Sequence, residues 1–172
     1  MKQLATSTVS RRALSWLAAG TILLGQKPRL PFKIQSAQLS RVRIYLRAGS
    51  TKADSNFDEI IIAGDGKVIL RATSYGAKDV KEPAGRVPAS SVERLLEFFL
   101  HEGMEGWDDE YKSQASDYAF KTLKIEVSGV PLKQIVMARE PFAEFANCIG
   151  AVTFLAAQAC PDALAANFFQ RL

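Results

Sequence analysis

The side chains with the clearest capacity for chemistry are the acids between residues 102 and 117. This acidic loop contains Glu102, Glu105, Asp108, Asp109, Glu110, Tyr111 and Asp117. Two carboxylates in different environments can divide the acid and base roles of glycoside hydrolysis, and several carboxylates can hold a calcium ion. Neither signal is specific, because the spacing does not match an EF-hand loop and acids in a surface loop are usually solvated. Asp117 also suits a structural role, since a carboxylate near a turn accepts backbone hydrogen bonds.

A second constellation is a row of cationic and aromatic side chains. Its members are Arg41, Arg43, Tyr45 and Arg47. They alternate with Val42, Ile44 and Leu46, a pattern that predicts a half-buried strand with the row on its wet face. Such a row can hold phosphates and stack a base or sugar, or receive an anionic envelope polymer. We favour the structural interpretation, in which this is an edge strand whose charges prevent pairing with another chain. The domain that follows the N-terminal segment is slightly acidic overall, which argues against a surface for anionic ligands.

Several kinds of active site are excluded by the residues that the chain lacks. His101 is its single histidine, so no metal site can use two histidines and no relay can use several. At the end of a predicted helix, His101 is expected to be a surface residue that interacts with the helix dipole. The sequence contains no P-loop, no Gly-x-Ser-x-Gly elbow and no dinucleotide fingerprint. We therefore expect no bound metal and no cofactor.

The two cysteines of the chain are Cys148 and Cys160. In an exported protein such a pair suggests a disulfide. Along one continuous helix, however, their spacing corresponds to about 18 Å, which an S–S bond cannot bridge. The pair can join only if the helix ends and the chain turns back, and Pro161 is placed to break the helix there. Two small buried thiols on an alanine-rich face are the alternative.

Before the acidic loop, the sequence pattern predicts three strands followed by a helix. The first strand is the one that carries the arginine row. Apolar runs at 57–63 and 68–73 then flank Gly64-Asp65-Gly66, a strong hairpin signal because both central turn residues must tolerate positive φ. Ser90 and Glu93 form a capping box, which predicts that a helix begins at this point.

After the acidic loop, the pattern predicts two more strands and two helices. Alternation over 122–127 leads to Ser128-Gly129, which predicts a turn into a strand at 132–137. Pro141 suits the first turn of a long helix, and Pro161 suits the start of a shorter one. The order βββ-α-ββ-α-α predicts an α+β fold, with an antiparallel or mixed sheet of about five strands and helices packed on one face.

The first thirty residues indicate where the protein goes. Arg11 and Arg12 directly precede an apolar run from Ala13 to Gly25, which is the layout of an export signal. This run is shorter than the about 20 residues that a bilayer span requires. Residues Ser10 to Leu14 resemble the start of a twin-arginine signal, which exports folded proteins. We interpret residues 1–31 as a cleaved export signal, with an uncleaved N-terminal anchor and an ordinary amphipathic helix as the alternatives.

The basic balance of the chain belongs to this N-terminal segment. The formal net charge is +4, but the residues before Pro31 include five cations and no acid, so the remainder has a net charge of −1. We therefore expect no nucleic-acid partner. Residues 32–172 suffice for a single α+β domain with its own core. Phe99 and Ile149 are central in the apolar stripes of the two long helices, and we expect both in that core.

Part of the chain resembles a family of small bacterial exported or envelope domains of unknown function. The resemblance runs from Leu95 through Gly103, Trp107, Asp108, Tyr111, Asp117 and the Gly129 hairpin. It implies an envelope compartment and a fold, but no reaction. Members of that family carry a Cys-x-x-x-Cys-Pro segment after the first strand, whereas this chain has no cysteine there. No redox or metal role therefore follows from the resemblance.

These observations favour a non-enzymatic, exported binding or interaction module of the bacterial envelope, periplasmic or extracellular. The expected partner is an unknown protein or an anionic envelope polymer, with membrane contact only through the N-terminal segment. The candidate binding residues are Arg41, Arg43, Tyr45, Arg47, Asp108, Tyr111 and Asp117. A hydrolase that acts on a glycan or wall polymer through residues 102–117 is the alternative, and a cofactor-free structural subunit is a third hypothesis.

Overall fold

A sheet of seven strands with three α-helices is formed by the residues that the computed structural model describes, namely residue 34 and residues 36–50, 57–72, 82–112 and 119–165. The strands are β1 (Val42–Ser50), β2 (Phe57–Ala63), β3 (Lys67–Ala72), β4 (Ala84–Arg86), β5 (Glu110–Tyr111), β6 (Ala119–Val127) and β7 (Val130–Met137). The helices are α1 (Ala89–His101), α2 (Ala143–Ala159) and α3 (Pro161–Ala165), and short 3₁₀ segments span Ser36–Arg41 and Met104–Gly106. The predictions for the export segment and for Asp117 lie outside these described residues.

The strands lie in the spatial order β4-β3-β2-β1-β6-β7-β5. Neighbouring strands are antiparallel except β5 and β7, which run parallel. The sheet is therefore mixed, and the predicted α+β class is confirmed. The sequence predicted about five strands; the two additional ones, β4 and β5, are too short for an alternating pattern to reveal them.

Strand β1 lies in the middle of the sheet rather than at its edge. It pairs along its length with β2 on one side and with β6 on the other. The interpretation of the arginine row as the protection of an edge strand is therefore wrong. Its charged residues instead face cross-strand neighbours, which they can pair with directly.

The core lies between one face of the sheet and helices α1 and α2. Along β1, Val42, Ile44 and Leu46 are completely buried on this face, as their alternation predicted. Phe99 of α1 and Ile149 of α2 belong to the same hydrophobic cluster as these residues. The expectation that both helices share one core with the sheet is therefore confirmed.

Both predicted hairpins are present. The turn between β2 and β3 contains Gly66 at φ +88°, and the backbone N–H of Lys67 donates to Asp65 Oδ1 over 3.1 Å. The turn between β6 and β7 contains Ser128 at φ 54° and Gly129 at φ 81°. Positive φ at both central residues is the geometry that matches the twist of the flanking strands.

The helix boundaries differ slightly from the prediction. Helix α1 is capped at Pro88 without a side-chain hydrogen bond, so the Ser90–Glu93 capping box does not form, because Ser90 already lies inside the first turn. Helix α2 is capped by Phe142, while α3 begins at Pro161 as predicted. Among the described residues, no helix combines the length and the apolar character that crossing a bilayer requires.

Candidate functional site

The face of the sheet opposite the core, named here the outer face, carries most of the predicted row. Strand register places on it Arg43, Tyr45, Arg47 and Gly49 of β1, Phe57, Glu59 and Ile61 of β2, Lys67, Ile69 and Arg71 of β3, and Phe120, Thr122, Lys124 and Glu126 of β6. Arg41 is not part of the row, because it ends the 3₁₀ segment before β1 begins. The alternation of 122–127 indicated Thr122, Lys124 and Glu126 but not Phe120, and the position of β6 beside β1 depends on a pairing between distant segments.

Tyr45 is held in a network with two side chains of β6. Its hydroxyl donates to Glu126 Oε1 over 2.6 Å, and Lys124 Nζ lies 2.6 Å from Glu126 Oε2. Burial and the hydrogen bond to Glu126 raise the pKa of Tyr45 to about 12. Burial alone would raise the pKa of Glu126, but the hydrogen bonds from Lys124 and Tyr45 outweigh it and lower that pKa. Tyr45 is therefore protonated and Glu126 is ionised at neutral pH, and the network has a structural role.

The guanidinium of Arg43 donates hydrogen bonds to nearby backbone carbonyl oxygens. Nη1 donates to the carbonyl oxygen of Val42 over 2.8 Å and to that of Ser40 over 3.3 Å. These bonds tie the 3₁₀ segment to the start of β1. A guanidinium committed to two carbonyls has fewer donors left for a ligand.

Arg47 differs from the other members of the row. Its Cζ lies 3.8 Å from the ring centroid of Phe57, and its Nε is buried without a hydrogen-bond partner among the described residues. The adjacent carboxylate on β2, Glu59, lies 3.7 Å from Arg71 Nη1. Within the row, Arg47 is therefore the cation whose guanidinium N–H donors are least used by contacts among the described residues.

The described part of the acidic loop is anchored to the rest of the domain by Lys133. This ammonium lies 2.9 Å from Asp109 Oδ1 and donates to the carbonyl oxygen of Trp107 over 2.6 Å. The Lys133 side chain is only 12% exposed, whereas that of Asp109 is 77% exposed. Glu102 accepts a hydrogen bond from Asn147 of α2 over 3.1 Å. These contacts give two of the loop acids a structural role.

Aromatic side chains hold the same loop against the start of α2. The ring centroid of Trp107 lies 5.0 Å from that of Phe142, and that of Tyr111 lies 5.3 Å from it. The Tyr111 hydroxyl accepts a hydrogen bond from the backbone N–H of Asp108 over 3.0 Å, while the side chain of Asp108 is exposed. Edge-to-face packing of Trp107 and tilted packing of Tyr111 against Phe142 fix the loop in place. No group of three or more metal-ligating residues occurs among the described residues.

The predicted binding residues do not form a single site. The arginine row lies on β1, whereas Tyr111 lies on β5, beyond β6 and β7. Three strand spacings separate them by about 14 Å. Asp117 lies outside the described residues. Two separate features remain, the outer face around Arg47 and the anchored loop.

Cys148 and Cys160 are free thiols, and both are buried. Helix α2 continues to Ala159 without turning back, so the predicted condition for a disulfide is not met and the bond is not formed in this structure. Burial, with a smaller effect from Glu102, raises the pKa of Cys148 to about 12. Burial also raises the pKa of Cys160. Neither thiol is therefore available as a thiolate nucleophile at neutral pH.

Comparison with known proteins gives no relative from which a function follows. No protein-family model and no curated protein matches the chain. The protein can therefore be classified by its fold alone, as an α+β domain with helices on one face of a mixed sheet. The resemblance to exported domains of unknown function stays a prediction.

Proposed function

We propose that this domain is a non-enzymatic, exported binding module of the bacterial envelope, and that it takes an acidic ligand on the outer face of its sheet. The observation that carries the proposal is Arg47, a guanidinium stacked on Phe57 with a buried Nε that lacks a partner among the described residues. A buried N–H donor without a partner is costly. Arg47 as a whole is half-buried, so an anionic group on the ligand would contact its outer guanidinium N–H donors rather than the covered Nε.

The charge balance of the outer face supports an acidic ligand. Over β3, β2, β1 and β6, five cations on this face outnumber two carboxylates. The cations are Lys67, Arg71, Arg43, Arg47 and Lys124, and the carboxylates are Glu59 and Glu126. A local excess of positive charge attracts anions even when the whole domain is nearly neutral, and salt weakens this attraction.

The contacts of the acidic loop favour the binding module over the hydrolase. Asp109 pairs with Lys133, and Glu102 accepts a hydrogen bond from Asn147. Both carboxylates therefore have a structural role in holding the loop, which the binding module explains without catalysis.

Retention of the purified protein on an acidic polymer tests the binding function. We expect polygalacturonate beads to retain the protein at low salt and to release it at high salt, and neutral dextran beads to retain little. Arg47→Gln should reduce retention. Arg94→Gln is the matched control, because Arg94 is an exposed arginine on α1 that contacts Ser91. Equal retention by both beads, or equal loss in both variants, would contradict the proposal.

A turnover assay distinguishes the hydrolase. The parent protein is incubated with a panel of wall glycans and peptides, and we expect no turnover. Turnover that disappears in Asp108→Asn or Asp109→Asn at an unchanged melting temperature would replace the binding module with the hydrolase.

The export part of the proposal rests on the N-terminal sequence. Replacing Arg11 and Arg12 by lysines should stop export through the twin-arginine route, whereas a general secretory signal tolerates the change because it requires only charge. Cell fractionation followed by mass spectrometry measures both location and cleavage. An intact cytosolic chain that begins at Met1 would contradict export.

A further inference from the structure

Helix α2 carries no charge on the side that faces away from the core. Its residues from Phe145 to Ala159 include no acid, lysine or arginine. Ala146, Gly150 and Phe154 follow one another at intervals of four residues and are all exposed, so they form one stripe along the helix. Phe154 is 65% exposed, and a Cβ added at Gly150 would meet nothing within 4 Å. An uncharged helix that is apolar on most of its surface is usually covered by another surface.

Carboxylates dominate the rest of this side of the domain. We name residues 89–106 and 143–165, which form the helices on the core side of the sheet, the helical layer. It contains six acids and one arginine, Arg94, so its net charge is −5 with His101 neutral. The acids are Glu93, Glu97, Glu102, Glu105, Glu144 and Asp162. Glu102 lies beside the stripe, because it accepts a hydrogen bond from Asn147 of α2 over 3.1 Å.

The two sides of the sheet therefore carry opposite charge. The outer face has five cations and two carboxylates. Glu82, which pairs with Arg71, reduces this excess of positive charge but does not reverse it. The helical layer on the other side of the same sheet is acidic. Opposite potentials on two sides of one molecule attract the unlike sides of neighbouring molecules and repel the like sides.

The helical layer suits a partner that displays arginine and lysine side chains. These side chains combine an apolar stem with a charged head. The stem can lie along the stripe while the head reaches a carboxylate such as Glu102, and a cation can also stack on the exposed ring of Phe154. The outer face of the sheet displays side chains of this kind, among them the exposed Lys67. The chain therefore carries both halves of a complementary pair of surfaces.

Charge disfavours the symmetric alternative, in which two helical layers pair with each other. In such an isologous dimer the same surface meets itself, so a net charge of −5 would face an equal charge. Like charges brought together across an interface weaken binding. Contact between the helical layer of one copy and the outer face of another replaces this repulsion with attraction. Such a contact leaves one free surface of each kind, so it can continue from copy to copy.

We propose that this domain associates head to tail with further copies of itself, and that the helical layer of one copy packs against the outer face of the next. Phe154 is the apolar centre of this contact, and the carboxylates of the helical layer meet the cations of the outer face. The proposal rests on the proposed function, because it names a second copy of the chain as an acidic ligand of the outer face.

Sedimentation velocity of the purified protein over a range of concentrations tests the association. We expect species larger than a dimer at low salt and monomers at high salt, because salt screens the attraction. Phe154→Lys adds a cation to the helical layer and should weaken association at least about tenfold. Val130→Lys is the matched control, because Val130 is 68% exposed and lies at the turn between β6 and β7, outside both surfaces.

A mixture of two variants tests the direction of the contact. Phe154→Lys alters only the helical layer, and the double variant Arg47→Gln, Lys67→Glu alters only the outer face. Neither should assemble alone. Mixed in equal amounts, they should form pairs and nothing larger, because each supplies the surface that the other has lost. Lys112→Glu is the control for the double variant, since Lys112 is 76% exposed outside both surfaces, and thermal melting checks that each variant folds.

The possible results separate this inference from the proposed function. If the protein is retained on polygalacturonate beads but stays monomeric at low salt, the head-to-tail contact is refuted and the binding module stands. Association that persists in the outer-face double variant would overturn the contact in favour of an isologous helix dimer. Assembly that both variants abolish, without retention on the beads, supports the contact and contradicts binding of an acidic polymer. If the protein neither assembles nor is retained, both proposals fail.

Discussion

Replacing Gly85 by alanine tests how the edge strand β4 packs against the end of α2. An ideal Cβ at Gly85 would lie 1.9 Å from the carbonyl oxygen of Ala159 and 3.0 Å from Cys160 Sγ. The nearest obstacle is a backbone atom, so no change of rotamer relieves the clash. Restoring an ordinary contact of 3.4 Å requires β4 and the helix end to separate by about 1.5 Å.

The expected cost follows from what that separation disturbs. Overpacking a tight site costs about 1 to 3 kcal/mol. The shift also strains the bonds that hold β4, including the Leu70 N–H to the carbonyl oxygen of Pro83 over 3.0 Å and the Val87 N–H to that of Gly66 over 2.9 Å. Each lost hydrogen bond adds about 1 kcal/mol. We expect a loss of about 2 to 4 kcal/mol, which lowers Tm by about 5 to 15 °C for a domain of this size.

The same substitution at Gly150 provides a control of opposite sign. Gly150 is an exposed residue inside α2, and an added Cβ there meets nothing within 4 Å. Alanine is favoured over glycine inside a helix by about 0.5 to 1 kcal/mol, so Gly150→Ala should raise Tm. Thermal and urea unfolding measure both variants. The reasoning is refuted if Gly85→Ala unfolds within about 0.5 kcal/mol of the parent, the range expected for surface changes, or if both variants shift in the same direction.

Three further predictions concern the core, the first hairpin and the loop. Phe99→Ala should cost about 3 to 5 kcal/mol in urea unfolding because the ring is completely buried, and a surface-like loss would contradict the packing of α1. The pKa of Asp65 is lowered, chiefly by the backbone N–H two residues later, so its ionised form stabilises the fold above the unfolded pKa, and this contribution is lost as pH falls through the lower pKa of the folded state. The stability difference between the parent and Asp65→Asn should therefore shrink in acid, and a difference that grows there would refute it. Asp109→Asn should lower Tm more than Asp108→Asn, because only Asp109 pairs with the largely buried Lys133, and equal melting temperatures would count against this anchor.

The features that were predicted correctly depend on local sequence. The alternation around β1 identified its buried residues and its outer face, since side-chain direction in a strand follows from position alone. The glycine-containing turns were predicted correctly because few residue types other than glycine adopt positive φ readily. Helix stripes correctly placed Phe99 and Ile149 in one core.

The features that were missed depend on contacts between distant segments. The central position of β1 follows from its pairing with β6, and neither segment contains a sequence pattern that predicts this pairing. Strands β4 and β5 are too short to show a period. Ser90 and Glu93 have the residue types of a capping box, but Ser90 is not at the N-cap position, because the helix begins at Ala89.

The candidate site shows the same division. The arginine row was visible as a pattern, but its members differ in what their side chains contact. Tyr45 meets Glu126, Arg43 meets backbone carbonyls, and Arg47 meets the Phe57 ring. Only the register of three strands distinguishes Arg47, so the sequence alone gave no reason to choose it.

The middle position of β1 also bears on how the chain reaches its native state. Its partner β2 follows almost at once, but β6 begins only at Ala119. An early β1–β2–β3 meander therefore exposes one unpaired side of β1 together with Val42, Ile44 and Leu46 until the second half of the chain arrives. Long-range pairing of this kind is slow, and an open apolar strand invites association between chains. We therefore expect closure of β6 onto β1 to be the step at which folding and aggregation compete, and a chain that stops before Ala119 to aggregate rather than fold.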